Sequence, residues 1–479
     1  MAEAIHTEIN WEPTPDGMNE QDLASETAQQ MVELKRLHLS SRPIDLSSSY
    51  LQEQQDVKDE VTKDMEEMIQ DCGDGLLLPD CCIYKVPLTL RHHKAEFYTP
   101  KFVSIGPFHY DNESLQDMQK HKKIFFKRFT QRAESSLDDL VHCVKHLEPK
   151  VRASYSETIH LSEQELVKLT LIDAGFIIQL FIMLKHDHHQ FCNDDAKFSQ
   201  PWLQVYIQKD LILLENQLPF FVIEELYDKA FPPDRRGSFP SFLRLTYEFF
   251  DYYNEQKLEP NVDVKIKHFT DLIRLFYLPI SKPQQHLLSE FGSHKTLYSA
   301  KALQEAGIKL KASKNKCLLD LKFSGDTLEI PTLLVADRTE FFFRNMIALE
   351  QCHYPYAAYI SDYAHVLDCL IDTCKDVDVL VHNKVVSNCL GDPNSVALLA
   401  NGLLTNFIRV TFNSQYYDIC QRLNGYCEDP RHKMMATLRR DYCNTPWHTA
   451  ASIAGIILLV LTIVQTIFSI LQVLLEKQT

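Results

Sequence analysis

The sequence predicts a mainly α-helical protein, with one large helical domain, a small β-hairpin insertion and a single C-terminal transmembrane helix. Three observations favour this fold class. Long runs keep apolar residues at helical spacing, only 13 glycines occur among 479 residues, and residues 450–475 carry no charged side chain. We therefore expect a leader (1–75), the helical domain (76–445), the transmembrane helix (450–475) and a short tail (476–479).

The leader is expected to be largely disordered, because residues 1–50 are polar and contain prolines and a serine run. Residues 53–70 are densely charged, but four apolar side chains keep helical spacing and predict a short, acidic amphipathic helix: Val57, Val61, Met65 and Met68. This helix either docks onto a partner or onto the domain, or it is solvated and half formed. The thin apolar stripe favours the solvated helix.

The domain opens with two short β-favouring runs, at 82–87 and 102–110. A basic and aromatic helix follows at 118–129. Two interpretations of that helix stay open. It either lies on anionic lipid, or it is a core helix with a solvated basic face.

A capping box is predicted at Ser162 and Glu165, directly before the apolar run 166–185. A second membrane span is one interpretation of that run, but Lys168 and Asp173 make it costly. We therefore predict the buried central helix of the domain, with Lys168 or a backbone donor as the partner of Asp173.

A second apolar run, at 210–230, contains a polar island of Glu215, Asn216 and Gln217. Pro219 is expected to break or kink the helix there. The island can be a ligand site, but we favour a structural role in which its side chains satisfy backbone groups freed by the proline.

The β insertion is predicted between 299 and 352. A helix ends at Gly307, and residues 317–337 then alternate as two or three strands with a hairpin turn at 324–326. Asp337, Arg338 and Glu340 mark the start of the next helix, since acidic groups favour a helix N-terminus.

No catalytic residue, cofactor site or metal site is predicted. The sequence has no glycine-rich phosphate loop, no G-x-S-x-G elbow and no H-E-x-x-H helix. The segment 186–189, with three histidines and an aspartate, is interpreted as a polar loop after a helix rather than as a metal site. Four polar residues share one helix face by their spacing, which fits either acid–base chemistry or a solvated face: Asp362, His365, Asp368 and Asp372.

The C-terminal run exceeds the roughly 20 residues that a bilayer core requires. Basic residues are concentrated before it, at Arg431, Lys433, Arg439 and Arg440, and only Lys477 follows. The positive-inside rule then predicts that the domain lies in the cytosol, and residues 1–17 have neither the basic start nor the apolar core expected of a signal peptide. We expect a tail-anchored, single-pass protein of the plasma membrane or an endomembrane.

This helix also carries a predicted contact face. With 100° per residue, its polar and small residues fall within an arc of about 120°. The predicted face consists of Ala451, Gly455, Thr462, Gln465, Thr466, Ser469 and Gln472. Such a face favours association with itself or with another span, and chance clustering is the alternative.

Seven segments occur in a characteristic order: IYKVP, FVSIGPFHY, LIDAGFIIQLF, DLILLENQLPFF, AKALQEAGIKLK, LEIP and FRNMIALEQC. In them the chain, from about Cys82 to the C-terminus, resembles the plant family called domain of unknown function 247. The resemblance implies a plant protein with a mainly helical domain and a C-terminal membrane anchor. The family has no established catalytic residues, and some grass members are associated with self-incompatibility.

Two function hypotheses follow. The first is a non-enzymatic, membrane-anchored protein that acts in recognition or signalling through an unknown protein partner, including self-incompatibility-type recognition. The second is a membrane-anchored enzyme of unrecognised type, with Asp362, His365 and Asp368 as its candidate residues. Nucleic acid is not an expected partner, because the net charge is −16. A cell-recognition role would fit an extracellular domain, whereas the charge bias favours the cytosol.

Overall fold

The computed structural model describes residues 61–69, 80–92, 94–186, 200–235, 239–288, 297–432, 434 and 446–476. The chain divides into two compact units, Met1–Leu76 and Leu77–Thr479. In the first unit, residues 61–69 form a helix whose apolar side chains Val61, Met65 and Met68 are exposed. Val57 and the segment 1–50 lie outside the described residues.

The first half of the second unit is helical, as predicted. Its α-helices are α1 (Leu88–Arg91), α2 (Gln116–Arg132), α3 (Leu137–Ala153), α4 (Glu163–His186), α5 (Pro201–Asp210), α6 (Phe220–Ala230), α7 (Phe242–Phe249) and α8 (Phe269–Tyr277). The β-favouring runs at 82–87 and 102–110 form no strand in the described chain. Ile83 makes an isolated parallel bridge to Tyr155, and side chains from elsewhere bind the backbone of both runs.

The second half mixes helices with short strands. Its elements are β1 (Gln285–Leu287), α9 (Ala300–Glu305), β2 (Lys309–Ser313), β3 (Lys322–Ser324), β4 (Thr327–Pro331), β5 (Leu333–Val335), α10 (Asp337–His353), α11 (Tyr359–Leu370), α12 (Cys374–His382), β6 (Val386–Asn388), α13 (Pro393–Gly402), β7 (Thr411–Asn413), α14 (Ser414–Glu428) and α15 (Pro446–Glu476). The mainly α fold class with small sheets is confirmed.

The predicted hairpin is the antiparallel pair β3–β4, in which Phe323 lies opposite Leu328. Gly325 forms its turn at φ +60°. Strand β2 was not predicted, and it pairs parallel with the other edge of β4. The remaining pairs are β1 with β7, antiparallel, and β5 with β6, parallel. Gly307, at φ +104°, follows α9 as predicted.

Helix α4 is the centre of the core, and α2, α3, α6 and α7 pack around it. Of its apolar window Glu163–Lys185, 89% is buried inside the protein, so the prediction of a core helix is confirmed. The predicted capping box is present as well. The Ser162 N–H donates to Glu165 Oε2 at 2.9 Å, and the Glu165 N–H donates to Ser162 Oγ at 3.4 Å.

The partner predicted for Asp173 was wrong in one respect. Lys168 is exposed, and the cation beside Asp173 is Lys122 of α2, with 2.5 Å between Nζ and Oδ1. The Gly106 N–H donates to Asp173 Oδ2 at 2.9 Å, so the expected backbone donor is present too. A lysine on a neighbouring helix can enter the core, whereas Lys168 lies on the outer face of the same helix.

Helix α2 is the basic and aromatic helix of the sequence. Its Phe125 and Phe129 are fully buried against the core, and Lys120, Lys123 and Lys127 are exposed. The helix is therefore a core helix with a solvated basic face, since the rings that would enter a lipid surface point into the protein.

The turn between α5 and α6, called here the polar turn (residues 210–219), carries the polar island. Pro219 stands directly before α6, so the helix is broken rather than kinked. Glu215 Oε1 accepts hydrogen bonds from the Val86 N–H at 2.9 Å and from the Arg91 guanidinium at 2.5 Å. His109 contacts the other oxygen, Oε2, at 3.1 Å. Together these partners lower the pKa of Glu215 despite its burial.

The amides of the polar turn are also fully used. Asn216 Oδ1 accepts from the Ile105 N–H at 2.7 Å, and Gln217 Oε1 accepts from the Phe269 N–H at 2.9 Å. Asp210 caps the backbone N–H groups of 101–103. The structural role of the island is confirmed, because Asn216 and Gln217 donate to carbonyls of the turn itself, those of Asp210, Leu211 and Leu213. The backbone N–H groups that the island satisfies belong to other segments.

Candidate functional site

A cleft of about 790 Å³ opens between α7, α8, the β4–β5 junction and the start of α10. We call it the aromatic cleft and define it by six lining residues: Tyr252, Tyr253, Tyr277, Leu333, Arg338 and Phe342. That volume includes the solvent-open mouth of the cleft, where Tyr252 and Arg338 lie.

Local capping fixes the position of each wall. The hydroxyl of Ser241 accepts from the Arg244 N–H at 3.2 Å and starts α7, which places Tyr252 and Tyr253 just after the end of that helix. At the other wall, Thr339 Oγ1 accepts from the Ala336 N–H at 2.9 Å and donates to the Leu334 carbonyl at 3.1 Å. The start of α10 is therefore held against strand β5.

The aromatic rings differ in exposure. The centroids of Tyr277 and Phe342 are 4.3 Å apart at a tilt of 36°. The Tyr253 ring is buried and meets the edge of Tyr252 at 5.4 Å. Tyr252 itself is 50% exposed, which makes it the accessible ring at the rim of the cleft.

Arg338 is one of two cationic side chains that line the cleft, and Lys316 is the other. Its guanidinium carbon lies 3.9 Å from the centroid of the Tyr252 ring, a cation–π contact. Within the described part of the chain, Arg338 makes no ion pair with a carboxylate. Its N–H donors are therefore available to an acceptor that enters the cleft.

Other groups at or near the cleft have shifted pKa values. Burial lowers the pKa of the Lys209 ammonium, and the adjacent charge of Arg338 lowers it further. Burial raises the pKa of the Tyr253 and Tyr277 phenols above their ordinary value. Both phenols remain protonated at neutral pH and can donate a hydrogen bond. A guanidinium, protonated phenols and ring faces together form a binding surface for an acceptor.

The acid–base candidates of the sequence lie elsewhere and are not a solvated face. Asp362 is fully buried, and its Oδ2 accepts from Gln285 Nε2 at 2.9 Å and from the Asn413 N–H at 3.0 Å. Burial raises the pKa of this carboxyl to about 8. Asp368 is half-buried, and Asp372 lies beyond the last residue of α11.

His365 lines a separate pocket of about 690 Å³ together with Cys369, Arg409 and Cys420. The Cys369 sulfur is 3.6 Å from His365 Nε2. Burial raises the pKa of both thiols, that of Cys420 to about 12, so the thiols are protonated. The structure thus places His365 beside thiols and a guanidinium, whereas Asp362 faces the core.

The C-terminal helix α15 is the candidate membrane span. Its segment Ala450–Gln472 has a mean hydropathy of 2.5 and is 0% buried inside the protein. Hydroxyls of its predicted contact face bond to carbonyls of the same helix. Thr462 donates to Leu458 at 2.8 Å, Thr466 to Thr462 at 2.7 Å, and Ser469 to Gln465 at 2.9 Å. Their polarity is therefore largely satisfied within the helix.

Some sequence predictions fall outside the described residues. The histidine-rich segment after α4 is one, since 187–190 are not described. In the rest of the described chain, no group of histidine, cysteine, aspartate and glutamate side chains is arranged to hold a metal ion.

No pattern in the sequence predicted the aromatic cleft, and Arg338 was predicted only as part of a helix start. Four segments between Tyr252 and Phe342 form the cleft, and no short spacing links them. The only local signal was a run of aromatic residues after Arg338, which is equally typical of a core helix.

The fold and the site define a class: a mainly helical protein with an aromatic cleft on its surface and an apolar C-terminal helix long enough to cross a membrane. The chain belongs to the family described as plant protein of unknown function, DUF247, which matches residues 83–461. The resemblance noted from the sequence is thereby confirmed.

Two relatives from Arabidopsis thaliana illustrate the relationship. The UPF0481 protein At3g47200 is 29% identical over 425 residues, covering 83% of this chain and 88% of the relative. The putative UPF0481 protein At3g02645 is 26% identical over 144 residues, covering 30% of this chain and 26% of the relative. No solved structure matches the chain.

Proposed function

We propose that this protein is a non-enzymatic, membrane-anchored recognition or signalling protein that binds its partner at the aromatic cleft. Because some grass members of the family are associated with self-incompatibility, cell recognition of that type is the specific function that we propose. The observation that carries the proposal is the cleft itself, where Arg338 stands beside the half-exposed ring of Tyr252 without a carboxylate partner among the described residues. An unpaired guanidinium on an aromatic platform is typical of binding hot spots.

The anchoring part of the proposal rests on α15. A helix of this length and hydropathy would hold the cleft near a bilayer, so that a partner in or on the same membrane meets it at high effective concentration. We place the helical domain (residues 76–445, called the body below) in the cytosol, at the plasma membrane or an endomembrane, because basic residues precede the C-terminal helix.

Site-specific photo-crosslinking of the full-length protein in plant membranes tests the binding function. A photoreactive residue replaces Tyr252, and a matched control replaces Tyr356, which is 66% exposed and lies outside the cleft. We expect a defined adduct from the Tyr252 position that disappears when Arg338→Gln is added. An adduct of equal yield from the Tyr356 position would contradict binding at the cleft. So would an adduct from the Tyr252 position whose yield Arg338→Gln does not change.

Protease protection tests the anchoring function and its direction together. Tags at both ends of the full-length chain are followed in sealed vesicles. We expect the N-terminal tag and the body to be digested from the cytosolic side. A body that survives until the vesicles are opened contradicts the cytosolic placement, and extraction of the protein by alkaline carbonate contradicts the anchor.

A membrane-anchored enzyme is the second candidate. It is favoured by one observation, the pocket in which His365 meets Cys369 and Arg409. The full-length protein would be assayed against chromogenic esters, phosphates and glycosides. Turnover that His365→Asn abolishes would support an enzyme, and equal signals from the protein and this variant would oppose it.

A further inference from the structure

We propose that the aromatic cleft binds a small aromatic carboxylate, with its ring against Tyr252 and its carboxylate on Arg338. This inference deepens the proposed function and rests on one part of it, that the aromatic cleft is a binding site. It names the chemistry of the ligand, which neither the family nor the relatives specify.

The charge of the cleft selects an anion. Two cationic side chains, Arg338 and Lys316, line the cleft, against one carboxylate, Glu255. Glu255 is exposed, whereas Arg338 is half-buried and faces the rings. Lys209 lies close enough for its ammonium to be repelled by Arg338. An anion at Arg338 relieves this repulsion and forms charge-assisted hydrogen bonds with a planar fork of donors.

The shape and chemistry of the walls select a planar ring. The guanidinium of Arg338 already stacks on Tyr252, so a carboxylate bound in the guanidinium plane carries its substituent alongside the same aromatic wall. Phe342 and Tyr277 pair their rings at 4.3 Å on the inner side. Offset and edge-to-face ring contacts add to the affinity beyond the burial of area.

Two phenols give the inner end of the cleft its polarity. Tyr253 and Tyr277 are largely buried, and their hydroxyls form no hydrogen bond with another residue of the described chain. Both are lining groups. A ligand whose ring carries an acceptor, such as a phenol or ether oxygen, would satisfy one of them, so a substituted aromatic acid fits better than a bare one.

The test uses the full-length protein in nanodiscs and three matched probes. The probe 1-naphthoate has the ring and the charge, 1-naphthamide has the ring alone, and cyclohexanecarboxylate has the charge alone. Affinity is measured by isothermal titration, and the rise in thermal midpoint serves as a second readout. We expect 1-naphthoate to bind at least about tenfold more tightly than 1-naphthamide, which lacks the hydrogen-bonded charge. It should bind about two- to tenfold more tightly than cyclohexanecarboxylate, which lacks the ring contacts.

Variants assign the binding to the cleft. Arg338→Gln should weaken 1-naphthoate about tenfold or more, and Tyr252→Leu about two- to tenfold. Tyr252 is half exposed, so this second variant folds even if Arg338→Gln does not. The controls are Arg244→Gln, an arginine paired with Glu248 and Glu259 outside the cleft, and Tyr356→Leu. Both should leave the affinity unchanged.

The outcomes distinguish a wrong ligand class from a wrong recognition function. This inference is overturned if 1-naphthamide or cyclohexanecarboxylate binds as tightly as 1-naphthoate. It is also overturned if both cleft variants leave the binding of 1-naphthoate intact, or if 1-naphthoate does not bind at millimolar concentration. A captured partner without 1-naphthoate binding leaves the proposed recognition function standing and removes only the ligand class. Binding of 1-naphthoate with no partner adduct supports the ligand class and removes the protein partner.

Discussion

Lys122 and Asp173 form an ion pair inside the protein, with Nζ 2.5 Å from Oδ1 and side-chain exposures of 1% and 2%. The pair joins α2 to the central helix α4. Lys122 also donates to the Ser104 carbonyl at 2.8 Å, and Asp173 accepts from the Gly106 N–H. The ion pair thus connects α2, α4 and the loop at residues 104–106 at one point in the core.

Removal of the acid should be costly, because it leaves the Lys122 charge buried and unpaired. We expect Asp173→Asn to lower the free energy of unfolding by about 3 kcal/mol or more. The matched control is Glu163→Gln, which breaks the exposed pair with Lys145 at 3.5 Å and should cost less than about 1 kcal/mol. Urea unfolding of the full-length protein measures both.

The double variant Lys122→Met/Asp173→Asn refines that prediction. It removes both charges and keeps an acceptor for the Gly106 N–H, so we expect it to recover most of the stability lost by Asp173→Asn. If Asp173→Asn behaves like Glu163→Gln, the two charges contribute little to the core.

Gly106 should tolerate no side chain. Its φ is +72°, and a Cβ atom there would lie 2.3 Å from the Gln217 carbonyl oxygen. Gly106→Ala therefore strains the backbone and displaces the Gln217 carbonyl and the Tyr155 hydroxyl, which would lie 2.9 Å from the new Cβ atom. We expect a loss of about 3 kcal/mol or more. Gly391 has a similar φ of +83° and open space around it, so Gly391→Ala should cost about 1 kcal/mol. Equal losses in thermal unfolding would contradict the steric cause.

His268 should make the fold sensitive to acid. It is fully buried, its Nδ1 accepts from the Asp271 N–H at 3.3 Å, and its Nε2 lies 3.0 Å from the Cys82 carbonyl. Only the neutral ring with its proton on Nε2 satisfies both contacts. Burial lowers the pKa of His268 from 6.5 to about 4.

The sign of this effect follows from proton uptake. Between pH 6.5 and 4 the unfolded chain binds a proton at this histidine that the folded protein does not, so stability falls as the pH falls through that window. His268→Asn retains a capping acceptor and removes the titration, so we expect a flatter stability profile from pH 7 to pH 4.5. The two profiles are compared by thermal unfolding, and parallel profiles would exclude His268 as the cause.

The contact face of α15 should depend mainly on its glutamine and glycine. The hydroxyls of Thr462, Thr466 and Ser469 are bonded within the helix, so the amide of Gln465 remains the stronger donor to a second helix. We expect Gly455→Leu and Gln465→Leu to lower dimerisation in a membrane two-hybrid assay. Thr462→Val should change it little, and Val460→Leu, on the opposite side, is the control. An unchanged signal in Gln465→Leu would end the idea.

Local signals in the sequence predicted local structure well. The capping box of Ser162 and Glu165, the glycine after α9 and the turn at Gly325 each act within a few residues, so their chemistry is visible in a short window. The buried α4 was distinguished from a membrane span in the same way, because Asp173 is tolerable in a protein core that offers a partner.

Contacts between distant segments could not be predicted from spacing. Strand β2 forms because it pairs with β4. The short β-favouring runs near 82 and 102 form no strand, because side chains of the polar turn accept hydrogen bonds from their backbone. The cation beside Asp173 comes from another helix, and the aromatic cleft needs four separate segments. Each depends on tertiary packing, for which a periodic pattern carries no information.

The hydrogen bonds of the polar turn limit which parts of the helical domain can be removed. Its acceptors lie in 210–217, whereas the donors that they satisfy lie in 86–105 and at Phe269. A splice form or truncated allele that drops the earlier segment would leave a carboxylate and amides buried without partners. The segments 86–105 and 210–217 therefore have to be present together for the helical domain to fold, and a fragment that lacks either of them is expected to be unstable.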